Sequence, residues 1–145
     1  MLELKSISEE VMLSRNQEQE LIMKIVYSYL YQNNHYEDKD PRLLIEEISE
    51  VSYDEVSIFV KETVIKILIH KDEIIQDILP NLHKWKLERM NKIIISILLL
   101  AIGEARYIEG TIKAAIIDVA IDLAKKYADE KDYRFVNAIL DKMIA

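Results

Sequence analysis

Apolar residues recur every three to four positions along most of the chain, a spacing typical of amphipathic α-helices. The first such helix follows the capping-box pair Ser14 and Gln17, and its apolar face comprises Leu21, Ile22, Ile25, Val26 and Tyr29. The polar stretch 32–40, QNNHYEDKD, predicts a loop. Asp40 and Pro41 then provide a cap and a first residue for a second helix.

The middle of the chain predicts two further helical segments. Ser52 and Glu55 form a second capping-box pattern, and the apolar positions that follow on one face are Val56, Phe59, Val60, Val64 and Ile67. A short amphipathic segment with Ile74, Ile75 and Ile78 comes next, and Pro80 should end it because proline cannot continue a helix.

The run IIISILLLAI, residues 93–102, is apolar on every side. It is about half the roughly 20 residues that a membrane-spanning helix needs, and Lys92 and Glu104 bracket it. We therefore expect it to be the buried central helix of a bundle.

The C-terminal third predicts two more helices. Thr111, after the turn Glu109-Gly110, can cap a helix that runs to about Tyr127, and Asp132 can cap the last one. The whole chain has two glycines and two prolines and shows no strand-like alternation. These features predict one all-α domain, residues 1–145, built as a bundle of about seven helices.

The charge of the chain changes the functional expectations. It has 26 acidic against 19 basic residues, a formal charge of −7, which opposes association with nucleic acid. RNA binding would therefore need a local basic patch or a partner protein. The absence of cysteine fits a reducing compartment, and the start MLELKSISEEVML lacks the basic and apolar regions of a signal peptide. We expect a cytoplasmic protein.

No catalytic or metal-binding pattern is present in the sequence. His35, His70 and His83 lack the tight spacing of a metal site, and Gly103 and Gly110 alone cannot form a phosphate-binding loop. Acid pairs such as Glu46-Glu47 are typical of solvated helix faces. We expect neither enzymatic activity nor a metal or other cofactor.

Three segments of the second half carry a family resemblance: WKLERM, ISILLLAIGE and AIDLAKKYADEKDYRFVNAILDKM. They resemble the NusB family of transcription antitermination factors. Positions that match the last motif of the family are Phe135, Val136, Asn137, Leu140, Asp141 and Lys142, while Ala138 and Ile139 replace its Gly and Val. Glu20 and Tyr27 give a weaker match in the first helix.

The resemblance implies an RNA-binding adaptor with the all-α NusB fold. Proteins of this family pair with NusE, a ribosomal small-subunit protein, and the pair holds the boxA element of nascent ribosomal RNA so that RNA polymerase passes terminators. The family's RNA surface uses an Arg-rich N-terminal run and the Lys and aromatic residues before the last helix. The candidate RNA contacts here are Arg15, Lys24, Tyr27, Lys125, Lys126, Tyr127 and Arg134.

The chain departs from the family where arginines cluster, because Asn16, Gln17 and Gln19 stand at positions where bases are common. An alternative is therefore a NusB-fold protein-interaction module that has lost RNA binding. The candidates also have structural alternatives: Lys125 and Lys126 favour a helix C-terminus, and Tyr127 could pack in the core. Whether the protein forms a homodimer stays open.

Overall fold

The all-α prediction is confirmed by a computed structural model, which describes residues 12–33, 40–82 and 90–144. These residues form six α-helices, against about seven predicted: α1 (Arg15–Asn33), α2 (Pro41–Ser49), α3 (Ile58–Ile78), α4 (Lys92–Tyr107), α5 (Lys113–Tyr127) and α6 (Glu130–Met143). Short 3-10 helices, Tyr53–Glu55 and Leu79–Asn81, precede and follow α3.

Helix α4 is the centre of the bundle, as its all-round apolar sequence predicts. Every residue from Ile94 to Glu104 is buried, and Leu98 is completely inaccessible to solvent. Helices α1, α3, α5 and α6 pack around it. A helix without a polar face has no side to present to water, so the other helices cover it with their apolar stripes.

Two predicted helix starts are confirmed by their caps. The backbone N–H of Gln17 donates to Ser14 Oγ at 3.2 Å, and the N–H of Ser14 donates to Gln17 Oε1 at 2.8 Å. Asp40 Oδ1 accepts the N–H of Arg42 at 2.9 Å, and Pro41 is the first residue of α2. These bonds satisfy donors that a helix start otherwise leaves open.

The predicted capping box at Ser52 and the division of the next helix are wrong. Ser52 precedes the short 3-10 helix and makes no capping bond through its side chain. The α3 cap is Ser57, whose Oγ accepts the N–H of Val60 at 3.2 Å. The helix then continues to Ile78 because no Gly or Pro interrupts residues 58–78, so the two predicted segments are one helix. Its end just before Pro80 is as predicted.

The predicted caps at Thr111 and Asp132 are also wrong. Thr111 Oγ1 donates to the carbonyl of Ile108 at 3.3 Å, and α5 begins two residues later, at Lys113, without a side-chain cap. Asp132 lies inside α6, where its Oδ2 accepts the N–H of the true cap residue, Asp129, at 3.2 Å. Both carboxylates suit a helix start, and the helix begins at the earlier one.

Several sequence features lie outside the described residues: the acidic start of the chain, positions 34–39 of the predicted loop, His35, His83 and Trp85. Among the helices that the structure describes, none combines the length and the hydropathy needed to cross a membrane.

Candidate nucleic-acid interface

A single carboxylate joins the two chain segments that the family resemblance assigns to RNA. Glu20 of α1 accepts two hydrogen bonds from Lys126 Nζ, at 2.7 and 3.0 Å. It also accepts one from the Tyr127 hydroxyl at 3.0 Å. Two candidates from the end of α5 are thereby fixed beside α1. Lys126 remains 60 % exposed, whereas Tyr127 is half-buried against the core.

The electrostatics of this cluster keep both charges in place. The hydrogen bond from Lys126 lowers the pKa of Glu20, assisted by the Tyr127 hydroxyl and by the positive charge of Lys24, and outweighs the opposing effect of burial. The hydrogen bond to Glu20 raises the pKa of Lys126 in turn. The pair is a formed salt bridge, so Lys126 brings little net positive charge to the surface.

A cavity of about 210 Å³ lies beside this cluster, between α1 and α5. Its polar lining includes the Asn16 and Gln17 side chains of α1, and Asp122 of α5 adds an acid. The two amides can donate to phosphate or base oxygens. The cavity therefore offers hydrogen bonding more than positive charge.

Two further candidates lie on α1 beyond Glu20. Lys24 is exposed and close enough to Glu20 to lower its pKa. Tyr27 is half-buried and stacks on Tyr31, with ring centroids 6.4 Å apart and planes 25° apart. Together with the cluster at Glu20, these side chains follow one side of the helix.

The remaining candidates contact other partners. The Arg15 guanidinium lies 3.5 Å from the centroid of the Phe59 ring and 3.6 Å from a Glu18 oxygen, on the side of α1 that faces α3. Arg134 donates to Glu130 within α6 at 2.8 Å.

Lys125 lies 5.0 Å from the Tyr133 ring centroid. The structure thus brings Lys126 and Tyr127 to one carboxylate on α1, and it does not gather all seven candidates into one patch.

The structure also reveals a buried polar pair that the sequence interpretation missed. Gln19 is 4 % exposed and donates from Nε2 to Glu104 Oε1 of α4 at 2.8 Å. Burial raises the pKa of Glu104, against smaller opposing effects of the Gln19 bond and the Arg15 charge. The sequence offered a signal for this, because Gln19 shares a helix face with Ile22, Met23 and Val26.

No group of three or more His, Cys, Asp or Glu side chains within the described ranges could hold a metal ion. The exposed cations and amides and the half-buried tyrosines of α1 and α5 are suited to binding a polyanion with unpaired bases.

Comparison with known proteins gives consistent results at the level of family, relatives and structures. Residues 16–145 match the model of the NusB family. The transcription antitermination protein NusB of Finegoldia magna is 33 % identical over 135 residues, which cover 91 % of this chain and 94 % of that protein. NusB of Clostridium botulinum strain Kyoto is 33 % identical over 143 residues, covering 91 % of this chain and all of the relative.

Solved structures share the fold. NusB of T. maritima superimposes with a TM-score of 0.77 and 25 % identity, covering 91 % of each chain. A structure of the antitermination factors NusB and NusE in complex with double-stranded RNA gives a TM-score of 0.69 at 21 % identity, covering 91 % of this chain and 98 % of the other.

Proposed function

The chain belongs to the NusB family, and we propose that it acts in transcription antitermination by holding boxA-type RNA together with a NusE-type ribosomal protein. Its relatives are named for transcription antitermination, and a NusB protein of the same fold has been solved with NusE and RNA. The work of such a protein is binding, not catalysis. The RNA would be a nascent ribosomal transcript, and the assembly would act on RNA polymerase in the cytoplasm.

The observation that carries the proposal is the cluster of Glu20, Lys126 and Tyr127. It brings the first helix and the residues before the last helix side by side, the two regions from which this family draws its RNA surface. The half-buried Tyr127 ring and the neighbouring amides of Asn16 and Gln17 supply stacking and hydrogen bonding without a large positive charge.

The salt bridges explain why a partner is part of the proposal. Three of the five basic candidates, Arg15, Lys126 and Arg134, each contact a carboxylate, so they offer phosphates little uncompensated charge. A polyanion approaching a chain of net charge −7 is repelled at long range. Basic residues of a ribosomal protein would supply the missing attraction.

Opposite substitutions at the Glu20–Lys126 pair test the proposal. RNA affinity is measured by fluorescence anisotropy with labelled boxA-type RNA and the chain bound to its NusE-type partner. Glu20→Gln removes a negative charge beside the RNA and releases Lys126, so affinity should rise about two- to fivefold, the size of one exposed charge interaction of roughly 0.5–1 kcal/mol. Lys126→Ala leaves Glu20 uncompensated and should weaken binding.

The opposite changes in RNA affinity distinguish RNA contact from a purely structural salt bridge between α1 and α5. If the salt bridge were only structural, both substitutions would lower the unfolding midpoint and leave the RNA affinity unchanged. Lys66→Ala on α3 is a matched control for the loss of one lysine. If the complex binds no RNA under any condition, the chain is a protein-interaction module and the proposal fails.

A further inference from the structure

Two neighbouring stretches of this acidic protein contain no acidic residue. The chain has 26 Asp and Glu among 145 residues, yet residues 21–33 of α1 contain none, and neither do residues 90–103 at the start of α4. Helix α1 packs along α4, so the two acid-free stretches are neighbours. Asp129 and Asp132 line a cavity together with Met90 and Asn91 just before α4, so acidic side chains adjoin this region at that end.

One side of α1 carries a lysine and two tyrosine rings in line with Glu20. At 100° per residue, Glu20, Lys24, Tyr27 and Tyr31 fall within about 60° of one another around the helix axis. Lys24 is exposed, and Tyr31 is 53 % exposed. From Glu20 to Tyr31 the stripe advances about 16 Å along the helix.

The far end of this stripe meets the beginning of α4. The Lys92 ammonium lies 5.4 Å from the centroid of the Tyr31 ring, and Tyr31 in turn stacks on Tyr27. Lys92 is the first residue of α4, where a positive charge opposes the helix dipole. Helix stability does not account for a lysine there, whereas an incoming phosphate would meet both the ammonium and the positive end of the helix.

We propose that bound RNA extends beyond the cluster at Glu20, along α1, to a second contact formed by Tyr31 and Lys92. Tyr31 stacks on an unpaired base, and Lys92 contacts a phosphate. An exposed ring beside a half-buried lysine ammonium is a pairing that sequence-tolerant single-strand binding can use. This inference rests on the proposed function, because it lengthens the same RNA path.

The experiment uses the partnered full chain and two kinds of labelled RNA: boxA-type RNA alone, and the same RNA with six added uridines at its 5′ or 3′ end. One of the extensions should raise affinity. Tyr31→Ala should lower the affinity for the extended RNA about tenfold or more, as expected for the loss of one base stack. Tyr31→Phe should keep that affinity, because the phenyl ring can still stack. Lys92→Ala should flatten the logarithmic salt dependence by about 0.7, the loss of one phosphate contact.

Lys61→Ala is the matched control, because the Lys61 ammonium also lies over a tyrosine ring, 4.6 Å from the centroid of Tyr53. Unextended RNA reports on the proposed function separately. If it binds but neither extension adds affinity, or if the gain survives in both the Tyr31→Ala and Lys92→Ala variants, this inference is wrong and the proposed function stands. If unextended RNA does not bind, both fall.

Discussion

At the scale of single residues, Glu104 stands out among the described side chains as a charged group that is buried. It is 4 % exposed, and its hydrogen bond comes from a neutral amide, Gln19. The other amide atom, Gln19 Oε1, is buried without a hydrogen-bond partner. The pocket thus holds one acceptor too many and lacks a donor, and a buried charge of this kind costs stability.

Glu104→Gln should stabilise the protein at neutral pH. The new amide can donate to Gln19 Oε1 while its oxygen still accepts from Gln19 Nε2, so both acceptors are satisfied and the charge is gone. We expect a gain of about 1–3 kcal/mol in the free energy of unfolding at pH 7.5, the usual cost of an unsatisfied buried group. Chemical denaturation at several pH values measures it.

The direction of the Glu104 pKa shift fixes the pH dependence. Because burial raises its pKa in the folded state, the folded protein binds the proton more tightly than the unfolded chain. The stability contributed by protonated Glu104 is therefore present below the pKa of the unfolded chain, the ordinary glutamate value of 4.5, and is lost as the pH rises through the folded pKa. Glu104→Gln should remove that decline. Glu109→Gln, an exposed neighbour, is the control, and an equal gain at pH 4 and pH 7.5 would contradict the argument.

Gln19 also shows what residue-level sequence reasoning could have found. The sequence interpretation treats Gln19 as the replacement of a basic residue that is common in the family, whereas the structure buries the Gln19 side chain. Its spacing from Ile22 and Val26 already places it on the apolar face of α1. Its partner, 85 residues away, is not visible in any local pattern.

At the scale of elements, local patterns predicted helices better than helix starts. Ser14 and Asp40 cap as predicted, and each accepts a backbone N–H from the first turn of its helix. Ser57 lies five residues beyond Ser52, and Asp129 lies three before Asp132, so sequence alone leaves a choice.

The contact between α3 and α4 predicts that adding a side chain at Gly103 lowers the stability of the protein. A Cβ at that position would lie 2.5 Å from Ile67 Cγ1, and Ile67 is fully buried. Alanine improves helix propensity by about 1 kcal/mol, but overpacking of a closed core costs about 1–3 kcal/mol. We expect Gly103→Ala to be a net destabilisation of up to roughly 2 kcal/mol by urea denaturation.

A double-mutant cycle identifies the cause. Ile67→Ala removes the atom that the new methyl group meets. The double variant should therefore lose less stability than the sum of the two single losses, by about 0.5 kcal/mol or more. Ala114→Gly, at an exposed position of α5, reports the helix-propensity difference alone. Strict additivity would mean that the helices adjust and no close contact limits Gly103.

At the scale of the whole molecule, the fold could be predicted from the sequence but the state of the surface charges could not. The helical periodicity and the apolar run at 93–102 are patterns of residues close together in the sequence, so they can be recognised without the structure. The salt bridge between Glu20 and Lys126 joins side chains 106 residues apart. Its carboxylate neutralises the positive charge that Lys126 would otherwise offer to a phosphate. The same basic residues, read without their partners, suggest a more positive surface than the folded chain presents.

This compensation sets the expected salt dependence of RNA binding by the chain alone. With Arg15, Lys126 and Arg134 beside carboxylates, Lys24 and Lys125 are the two basic RNA candidates without an ion pair to a described residue. The isolated chain should therefore bind weakly, with a logarithmic salt slope near −1.4, taking roughly −0.7 per phosphate contact on a single strand. Adding the NusE-type partner should tighten binding and steepen the slope by about 0.7 for each basic residue it contributes.

Replacing Lys125 and Lys126 together by Ala should flatten the slope by about 0.7 and not by twice that amount, because Glu20 already offsets Lys126. Anisotropy titrations from 50 to 200 mM salt measure these slopes. Tight binding by the isolated chain at physiological salt, with a slope far steeper than −1.4, would show that the ion pairs open and that the whole basic set meets the RNA.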